Sequence, residues 1–358
     1  MFRKVNVGII GCGNIAGVMA ATLKKMGSVR CYAVASRSLS KAQTFAEEWG
    51  AKVAYGSYEE LVQDKKVDLV YIATPHSEHY ANAMLCIKNK KAVLCEKAFM
   101  ANRKQAEEVL TYAQSQKVLV AEAIWTRYMP MLKTIKEVLA SGVIGEPVML
   151  TGNLGYQMEQ KERLNNPALA GGALLDVGVY ALNFASMIFG NDVEKITSTC
   201  TYTASGVDRQ SSFTLTYKNG KMAVLNCTMS GLSDRMGCIY GTNGYAIIEN
   251  INNYESMTVY NNQYKKVGFY KKAKQISGYE YEVEACVKAL KQGWLQCPQM
   301  PHDEILKMME WMDELRKEWG VVYPFEVPEN GLIENKEDIQ EYISREEISQ
   351  VVQVDEEK

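Results

Sequence analysis

A glycine-rich segment near the amino terminus is the first feature with a chemical use. Gly11-Cys-Gly-Asn-Ile-Ala16 follows an apolar run, Val5–Ile10, and precedes a stretch of helical character. Gly11 permits a tight turn, Gly13 lets the main chain approach a pyrophosphate, and Ala16 allows close packing of helix and strand. A helix N-terminus attracts the anion. The segment predicts a dinucleotide-binding loop made of Gly11, Gly13, Asn14, Ile15 and Ala16.

The end of the second predicted strand bears on which dinucleotide would bind. An NAD site usually carries Asp or Glu at this position to bind the ribose hydroxyls, and none is present in Val34-Ala-Ser-Arg-Ser38. Ser36, Arg37 and Ser38 offer donors and a positive charge, which suit the 2′-phosphate of NADP. Arg37 as a solvated loop residue is the alternative. The sequence favours NADP and leaves NAD open.

A third motif, Ala73-Thr-Pro-His76, follows the fourth predicted strand. Ligands of open α/β sheets bind beyond the carboxyl ends of the strands, so we place Ala73, Thr74, Pro75 and His76 at the cofactor crevice. His76 and His79 would need further partners to bind a metal, and the sequence offers none, so no metal is predicted. Loop contacts or helix capping are favoured for both histidines, with a substrate contact by His79 as the alternative.

Two further pairs of ionisable side chains occur later in the chain, one at the end of a predicted strand and one on a predicted helix. Glu96 and Lys97 end the fifth predicted strand, where a lysine beside a carboxylate is more often a surface ion pair than a catalyst. Asp176 and Tyr180 are four residues apart on a predicted helix at 173–188, so they share one face. Their neighbours are apolar, and a buried carboxylate and phenol need partners or a cleft. From spacing alone, the alternative is that Asp176 and Tyr180 form a structural pair whose polar groups are satisfied by neighbouring main chain.

The elements that position these residues change type along the chain. Residues 1–122 alternate short apolar strands with amphipathic helices, which predicts a doubly wound parallel sheet of the Rossmann type. From about Ile196 to Tyr270 the period shifts to two, and Asn-Gly turns at 219–220 and 243–244 indicate antiparallel hairpins. We therefore predict an α/β first domain at 1–122 and an α+β second domain at 123–330 with a mainly antiparallel sheet. Its last helices are free to pack back on the first domain, and an acidic tail follows at 331–358.

Composition excludes several classes of protein. The 358 residues hold 40 Lys plus Arg and 42 Asp plus Glu, so no basic excess points to nucleic acid or an anionic membrane. Nine cysteines without a C-x-x-C pair and only three histidines argue against a zinc site and a disulfide framework. No run reaches the ~18–20 apolar residues of a membrane span, and glycines interrupt the amino-terminal apolar stretch. A soluble, cytoplasmic protein is expected.

Five segments in fixed order resemble a known family. They are G-C-G-N-I-A, A-T-P-H, C-E-K-A, E-A-I-W-T-R-Y and G-G-A-L-L-D-V-G-V-Y. Over about residues 3–330 the chain resembles the glucose–fructose oxidoreductase, inositol dehydrogenase and rhizopine-catabolism (Gfo/Idh/MocA) family, in particular its branch of dihydrodiol and NADP-dependent xylose dehydrogenases. The resemblance implies a Rossmann domain, then a domain with a large open sheet often used for dimerisation. It also implies hydride transfer between NAD(P) and a carbinol or carbonyl carbon of a sugar-like substrate.

The resemblance also implies roles for single residues. The lysine of the family's E-K-P motif falls on Lys97, with Glu96 before it and Ala98 in place of the proline. Trp125 and Arg127 match a W-x-R segment near the nicotinamide. The resemblance therefore adds Glu96, Lys97, Trp125 and Arg127 to the expected cofactor-binding residues.

Tyr180 stands where many family members have a histidine, and it is the expected acid or base. A nearby cation favours a phenolate, which is the role expected for Lys97, while Asp176 would orient the lysine or bind a substrate hydroxyl. The expected protein is an NADP-dependent oxidoreductase of a sugar, polyol or dihydrodiol-like substrate, acting as a homodimer. A reductase of conjugated or dicarbonyl compounds would use the same residues. A non-catalytic dinucleotide-binding sensor is the alternative of another class.

Overall fold

A six-stranded parallel sheet forms the first part of the chain in the computed structural model, which describes residues 3–326. The strand order is β3-β2-β1-β4-β5-β6, and helices connect successive strands, as predicted. The strands are β1 Val5–Ile10, β2 Val29–Ala35, β3 Val53–Tyr55, β4 Leu69–Ile72, β5 Ala92–Glu96 and β6 Val120–Ala123. The helices are α1 Asn14–Lys25, α2 Leu39–Trp49, α3 Tyr58–Gln63, α4 His76–Lys88 and α5 Arg103–Gln116. We name this the parallel sheet.

An eight-stranded sheet forms the second part, and we name it the mixed sheet. Its strands are β7 Pro147–Gly155, β8 Val193–Tyr202, β9 Asp208–Tyr217, β10 Met222–Thr228, β11 Gly237–Gly241, β12 Gly244–Glu249, β13 Ser256–Asn261 and β14 Lys266–Lys271. Its helices are α6 Pro130–Ala140, α7 Glu162–Asn165, α8 Val179–Phe189, α9 Glu280–Gln292 and α10 His302–Trp319. The order is β14-β13-β12-β11-β7-β10-β9-β8, and only β7 and β10 pair in parallel. The predicted mainly antiparallel sheet is confirmed.

Strand β7 and helix α6 are the elements that the sequence analysis missed. Strand β7 lies in the middle of the mixed sheet, yet it begins with Pro147 and contains Gly152 and Gly155, which are poor strand formers. A Cβ atom at Gly152 would lie 3.2 Å from side-chain atoms of Leu225 and Phe184. The glycine is therefore required by the packing of α8 against the sheet, and this packing hides the strand from a propensity-based prediction.

The two faces of the mixed sheet differ. Helices α8 and α10 pack on one face, and Tyr202 belongs to that side, because its hydroxyl donates to the main-chain oxygen of Trp319 at 2.7 Å. The other face, which we name the open face, keeps large side chains exposed, from 36% for Met149 to 54% for Phe269. Its larger apolar and aromatic residues are Met149, Met222, Val224, Tyr240, Tyr245, Ile247, Tyr260 and Phe269.

The last helices return to the parallel sheet. The Val120 main chain donates to the oxygen of Leu295 at 3.1 Å, and its own oxygen lies 3.0 Å from His302 Nε2. Helix α10 also packs against α5. The edge strand β6 is therefore covered by the carboxyl-terminal part of the chain. The predicted acidic tail at 331–358 lies outside the described residues.

One apolar segment requires a correction. Pro167–Phe189 is long and apolar enough to cross a membrane by length and composition, although no such run was expected. In the structure 89% of its most apolar stretch is buried, and it includes α8 between the mixed sheet and α10. Its hydropathy is that of a core helix, because it is surrounded by protein on most sides.

Candidate active site

The glycine-rich loop joins β1 to α1 at the carboxyl edge of the parallel sheet. Gly11 has φ +102°, and a Cβ atom there would lie 2.7 Å from the main-chain oxygen of Ala73, so the two loops are neighbours. Gly13 is the N-cap of α1 and offers no side chain to the free N–H groups of its first turn. A Cβ atom at Gly13 would meet no described atom within 4 Å. Free amides with open space before them fit a dinucleotide pyrophosphate.

The residues expected at the 2′-phosphate surround the N-terminus of α2. Ser38 is its N-cap, and Ser36 Oγ accepts from the Ser38 amide at 3.3 Å. The first turn holds no acidic residue, and Arg37 is exposed at its start. Lys41, which the sequence analysis did not single out, donates its amide to Ser38 Oγ at 3.5 Å. Helix dipole, hydroxyls and guanidinium together form a site suited to an anion.

Three of the expected catalytic residues meet between the two sheets. Lys97 follows β5, and its Nζ atom donates to the main-chain oxygen of Asp176 at 2.5 Å and to Asp176 Oδ1 at 3.4 Å. The same Nζ atom lies 4.9 Å from the centre of the Tyr180 ring. The peptide bond between Lys97 and Ala98 is cis. The structure thus joins a lysine from the parallel sheet to a carboxylate and a phenol that lie between β7 and β8 of the mixed sheet.

Asp176 lies on a π-helical turn, Leu174–Gly178, that leads directly into α8. The sequence predicted one helix over 173–188 and could not show this wider turn, which is a frequent feature of functional sites. Arg163, which sequence reasoning missed, donates to Asp176 Oδ1 at 3.0 Å. Burial works to raise the pKa of Asp176, but Lys97 and Arg163 hold it well below its usual range. Asp176 therefore stays ionised and acts as an anchor for the two cations.

The Tyr180 side chain is buried, with 6% of the residue exposed. Its hydroxyl makes no hydrogen bond within residues 3–326. Burial raises the pKa of this phenol well above its ordinary value, and Tyr279 and Glu96 raise it further. The expectation that Lys97 lowers the pKa of Tyr180 is wrong for this arrangement, because Lys97 lies over the ring and is bound to Asp176. At neutral pH Tyr180 is a proton donor with a free hydroxyl.

His79 is fully buried on α4. Its Nδ1 atom lies 3.0 Å from the oxygen of Ala98 and 3.2 Å from that of Phe99, while Nε2 lies 2.9 Å from the oxygen of Thr74. Burial lowers its pKa. The favoured loop contacts are therefore present. The alternative of a substrate contact is wrong, because His79 has no exposed surface.

His76 connects the two parts of the chain. Its Nδ1 atom lies 3.0 Å from the oxygen of Ala170 and its Nε2 atom 3.2 Å from that of Lys97. Burial lowers the pKa of His76 to about 3, so the ring is neutral. The His76 ring therefore contacts the main chain of Lys97 and helps to position the residue that follows β5.

Arg127 does not reach toward the dinucleotide loop. Its Nε atom donates to Asn183 Oδ1 at 2.5 Å, and a terminal nitrogen donates to Ser186 Oγ at 2.8 Å. The same terminal nitrogen lies 2.9 Å from a carboxylate oxygen of Glu304 on α10. The expectation that Arg127 binds cofactor is wrong, because the buried guanidinium is used to join its 3₁₀ turn to α8 and α10.

Trp125 belongs to a group of aromatic residues beside the catalytic tyrosine. Its ring stacks on Tyr279 with centres 4.2 Å apart, and its Nε1 atom donates to Asn252 Oδ1 at 3.0 Å. Asn252 in turn donates to the hydroxyl of Tyr156 at 2.9 Å. Sequence reasoning missed Tyr156, Asn252 and Tyr279, which lie in segments without a motif. Together with Tyr180 these rings offer flat surfaces for a cyclic substrate.

Glu96 is a buried carboxylate at the end of β5. One carboxylate oxygen accepts from the hydroxyl of Tyr71, and the other accepts from the Lys97 amide at 3.3 Å. Burial raises the pKa of Glu96. These two bonds hold the end of β5 in place, and the expected contact between Glu96 and the cofactor stays a prediction.

Asp208 is a further residue that sequence reasoning did not find. Its Oδ2 atom accepts from the amide of Leu174 at 2.6 Å, at the start of the π-helical turn. Gly172 has φ +116°, and a Cβ atom there would collide with Asp208 Oδ1. Burial raises the pKa of Asp208 to about 7. Gly171 and Gly172, which we name the glycine pair, thus precede a turn whose first amide is bound by a buried carboxyl group.

A cleft of about 420 Å³ runs along the outer side of α1. It is lined by Gly13, Asn14, Trp49 and Ile276, among others, and it includes neither Lys97 nor Tyr180. Within residues 3–326, no group of three His, Cys, Asp or Glu side chains could hold a metal ion.

Comparison with protein families gives two matches. The model of an oxidoreductase family with an NAD-binding Rossmann fold, Gfo/Idh/MocA, matches residues 5–124. The model of a C-terminal domain of the same family matches residues 132–247. The trans-1,2-dihydrobenzene-1,2-diol dehydrogenase of Mus musculus is 34% identical over 325 residues, which cover 88% of this chain and 97% of the relative. The protein of that name from Homo sapiens is 32% identical, again over 88% of this chain and 97% of the relative.

Solved structures share the fold. A 3-ketoreductase from Actinomadura kijaniata in complex with NADP and TDP-benzene superposes with a TM-score of 0.80 at 23% identity, covering 88% of this chain and 97% of that one. An aldose-aldose oxidoreductase from Caulobacter crescentus complexed with glycerol gives 0.79 at 20% identity, with the same coverage. The superposition with each of these two structures covers both the parallel sheet and the mixed sheet of this chain.

Proposed function

The chain belongs to the Gfo/Idh/MocA family of NAD(P)-dependent oxidoreductases, and on that basis we propose that it uses NADP to interconvert a carbinol and a carbonyl group of a sugar, polyol or dihydrodiol-like substrate. The observation that carries the proposal is the meeting of Lys97, Asp176 and Tyr180, with the Tyr180 hydroxyl free of protein partners in the described residues. A sensor without turnover has no use for a buried, unpartnered proton donor.

The residues at the sheet edges fit the cofactor. Gly11, Gly13 and the first-turn amides of α1 would hold the pyrophosphate. Ser36, Arg37 and Ser38 would hold the 2′-phosphate at the N-terminus of α2, where no carboxylate competes. When bound, NADPH supplies the hydride, and NADP accepts it in the reverse direction.

In the reduction direction, Tyr180 donates its proton to the carbonyl oxygen of the substrate while the carbon receives hydride. The high pKa of the buried phenol suits this donation, because the proton is present at neutral pH. The ammonium group of Lys97 stabilises the negative charge that develops on that oxygen. Asp176 holds Lys97 through its main-chain oxygen and its carboxylate. In oxidation, the hydroxyl proton of the substrate returns to the Tyr180 oxygen.

Two observations support a small cyclic substrate, the names of the relatives and the aromatic residues near Tyr180. The curated relatives are named for a dihydrobenzene diol, and the structural neighbours are named as a 3-ketoreductase and an aldose-aldose oxidoreductase. Trp125, Tyr156 and Tyr279 provide ring faces beside Tyr180. Ring faces bind the apolar side of a sugar or cyclic diol, and the flanking polar groups bind its hydroxyls.

We also propose that two copies associate through the open face. Tyr240 pairs with Tyr245 across β11 and β12, and Tyr245 stacks on Tyr260 with centres 4.9 Å apart. Such a large apolar surface on a sheet is typical of an interface.

The nine cysteines are all unpaired, which supports placement in the reducing cytoplasm.

The proposal is tested by titrating the protein with NADPH, followed by fluorescence, and then screening aldoses, diols and dicarbonyls for turnover. We expect saturable NADPH binding and activity toward a hydroxyl-bearing or carbonyl substrate that is lost in Tyr180→Phe. Tight NADPH binding without turnover of any compound would favour the sensor. A screen in which only conjugated or dicarbonyl compounds react would identify the reductase.

A further inference from the structure

Arg163 is a charged residue of the active site for which the proposed mechanism has no use. A terminal nitrogen of its guanidinium donates to Asp176 Oδ1 at 3.0 Å, and Lys97 Nζ lies 3.4 Å from the same oxygen. The two cations are therefore close neighbours on one carboxylate oxygen. A group bound by Arg163 and an oxygen bound by Lys97 can belong to the same small molecule.

The guanidinium has binding capacity left over. Arg163 has five N–H donors, and its bond to Asp176 is the only one it makes within residues 3–326. Its side chain is 42% exposed, whereas those of Lys97 and Asp176 are 13% and 7% exposed. Among these three charged residues, Arg163 is the one that remains open to a ligand.

The main chain around Arg163 is fixed to the catalytic turn. Leu164 is fully buried, and its oxygen accepts from the Gly172 amide at 2.9 Å. A Cβ atom at Gly171 would lie 3.0 Å from the oxygen of Arg163, so only glycine permits this approach. The segment that carries Arg163 therefore packs on the glycine pair that begins the Asp176 turn, and the position of the guanidinium is set by the site itself.

Two cations, Lys97 and Arg163, share one carboxylate oxygen of Asp176. Glu159, four residues before Arg163, binds Arg209 at 3.1 Å. An anion on the substrate would balance the second cation, and a planar guanidinium pairs best with a carboxylate.

We propose that Arg163 binds a carboxylate of the substrate, on a carbon adjacent to or one removed from the reacting carbon. The substrate class is then an acidic sugar derivative, an aldonate or a uronate. This inference rests on the proposed function and narrows it, because a neutral sugar or dihydrodiol would give the remaining N–H donors of the guanidinium no anionic acceptor.

Pairs of compounds that differ in the carboxylate test the proposal. D-gluconate is compared with D-glucitol in the presence of NADP, and 2-keto-D-gluconate with D-fructose in the presence of NADPH. We expect kcat/KM to favour the acid of each pair by roughly 10- to 100-fold, from one charge-assisted contact. Arg163→Gln should lower kcat/KM for the acid far more than for its neutral partner and so remove this preference, and Arg163→Lys should restore part of it.

Arg103→Gln is the matched control, because Arg103 is 43% exposed and pairs with carboxylates of Glu107 and Glu310 on the parallel-sheet side. It should leave the preference unchanged. If Arg163→Gln lowers kcat/KM equally for the acid and for its neutral partner, the proposal is overturned and Arg163 is a positioning residue for Asp176. A wild-type enzyme that does not distinguish the acid from the neutral compound would also overturn it.

A binding measurement separates this inference from the proposed function. NADPH fluorescence of the enzyme–NADPH complex is followed while D-gluconate or D-glucitol is added, which requires no turnover. Tighter binding of D-gluconate in the wild type, lost in Arg163→Gln, supports the carboxylate site even if none of the four compounds reacts. Equal binding of the two overturns it. Failure to bind NADPH at all would overturn the proposed function as well.

Discussion

Lys97 and Asp176 come from the two different parts of the chain, and they share a hydrogen bond of 2.5 Å between the ammonium and a main-chain oxygen. A main-chain acceptor cannot be removed by substitution or protonation. Asp176 thus holds the lysine in two ways, by its peptide oxygen and by its carboxylate at 3.4 Å. The position of the catalytic cation therefore depends on the π-helical turn itself as well as on the side chain.

Replacement of Tyr180 by Phe tests the proton donor. The ring remains and so does its contact with Lys97, hence the fold and NADPH affinity should be retained. We expect kcat to fall by roughly 10²–10⁴, the usual contribution of general acid–base catalysis. Steady-state kinetics and an NADPH titration measure the two effects. Full turnover by Tyr180→Phe would remove this residue from the mechanism.

Lys97→Met removes the cation and leaves the Asp176 main-chain oxygen without its donor. We expect a loss of kcat of roughly 10²–10³, comparable to the loss of one oxyanion-stabilising donor. Steady-state kinetics measure kcat, with Lys88→Met on α4 as the control. A Lys97→Met variant that keeps the wild-type kcat would contradict the role of Lys97.

Arg37→Asp tests the choice of cofactor. A contact between guanidinium and 2′-phosphate contributes about 1.5–3 kcal/mol, so NADP should be preferred over NAD by roughly 10- to 100-fold in the wild type. The substitution should shrink or invert that ratio of dissociation constants. Arg30→Asp, exposed on β2, serves as the control for a change of charge. Equal dissociation constants in the unmodified protein would exclude the 2′-phosphate site.

Tyr240→Glu and Met149→Glu place a charge at neighbouring positions of the open face. Burying an unpaired carboxylate in an interface is costly, so a dimer should dissociate at micromolar concentration. Sedimentation velocity measures the masses of both variants. Trp294→Glu, at an exposed residue beyond α9, should remain dimeric. A wild-type protein that sediments only as a monomer would refute the association.

Asp208 should give stability a characteristic pH dependence. Burial raises its pKa to about 7, whereas an unfolded Asp titrates near pH 3.9. Between these values the folded chain binds the additional proton, so the free energy of unfolding should decrease as pH rises from about 4 to 7. The contribution is at most about 1.4 kcal/mol per pH unit.

Asp208→Asn keeps an acceptor for the Leu174 amide but does not titrate. Its stability should therefore decrease less between pH 4.5 and 7.5 than that of the wild type. Urea unfolding of both proteins at several pH values provides the comparison. Parallel curves would show that Asp208 does not ionise in this range.

The parallel sheet and its dinucleotide loop could be predicted from sequence because their determinants are local. Apolar strand periods, Gly11 and Gly13, and the Ser38 cap each act within a few residues of their position in the chain. The alternation along β8 to β14 and the Asn-Gly turns likewise predicted the hairpins of the mixed sheet. Local rules therefore gave the fold class and the location of the cofactor loop.

The partners of the site residues could not be predicted, because they are distant in sequence. Arg127 binds Glu304 across 177 positions, and nothing near Arg127 marks it as a structural residue. Arg163 and Asp208 lie outside any motif, and each bonds directly to the π-helical turn, Arg163 to Asp176 and Asp208 to the Leu174 amide. The position of Lys97 over the ring of Tyr180 also depends on the packing of the two sheets.

The return of the last helices to β6 has a consequence for synthesis on the ribosome. Val120 in the edge strand receives its hydrogen-bond partners from Leu295 and His302. A nascent chain that has emerged only to the end of the dinucleotide-binding half therefore presents an unpaired strand edge to its surroundings, a site of aggregation. That half becomes protected only when nearly the whole polypeptide has been translated, so cutting the gene after β6 should yield an insoluble fragment.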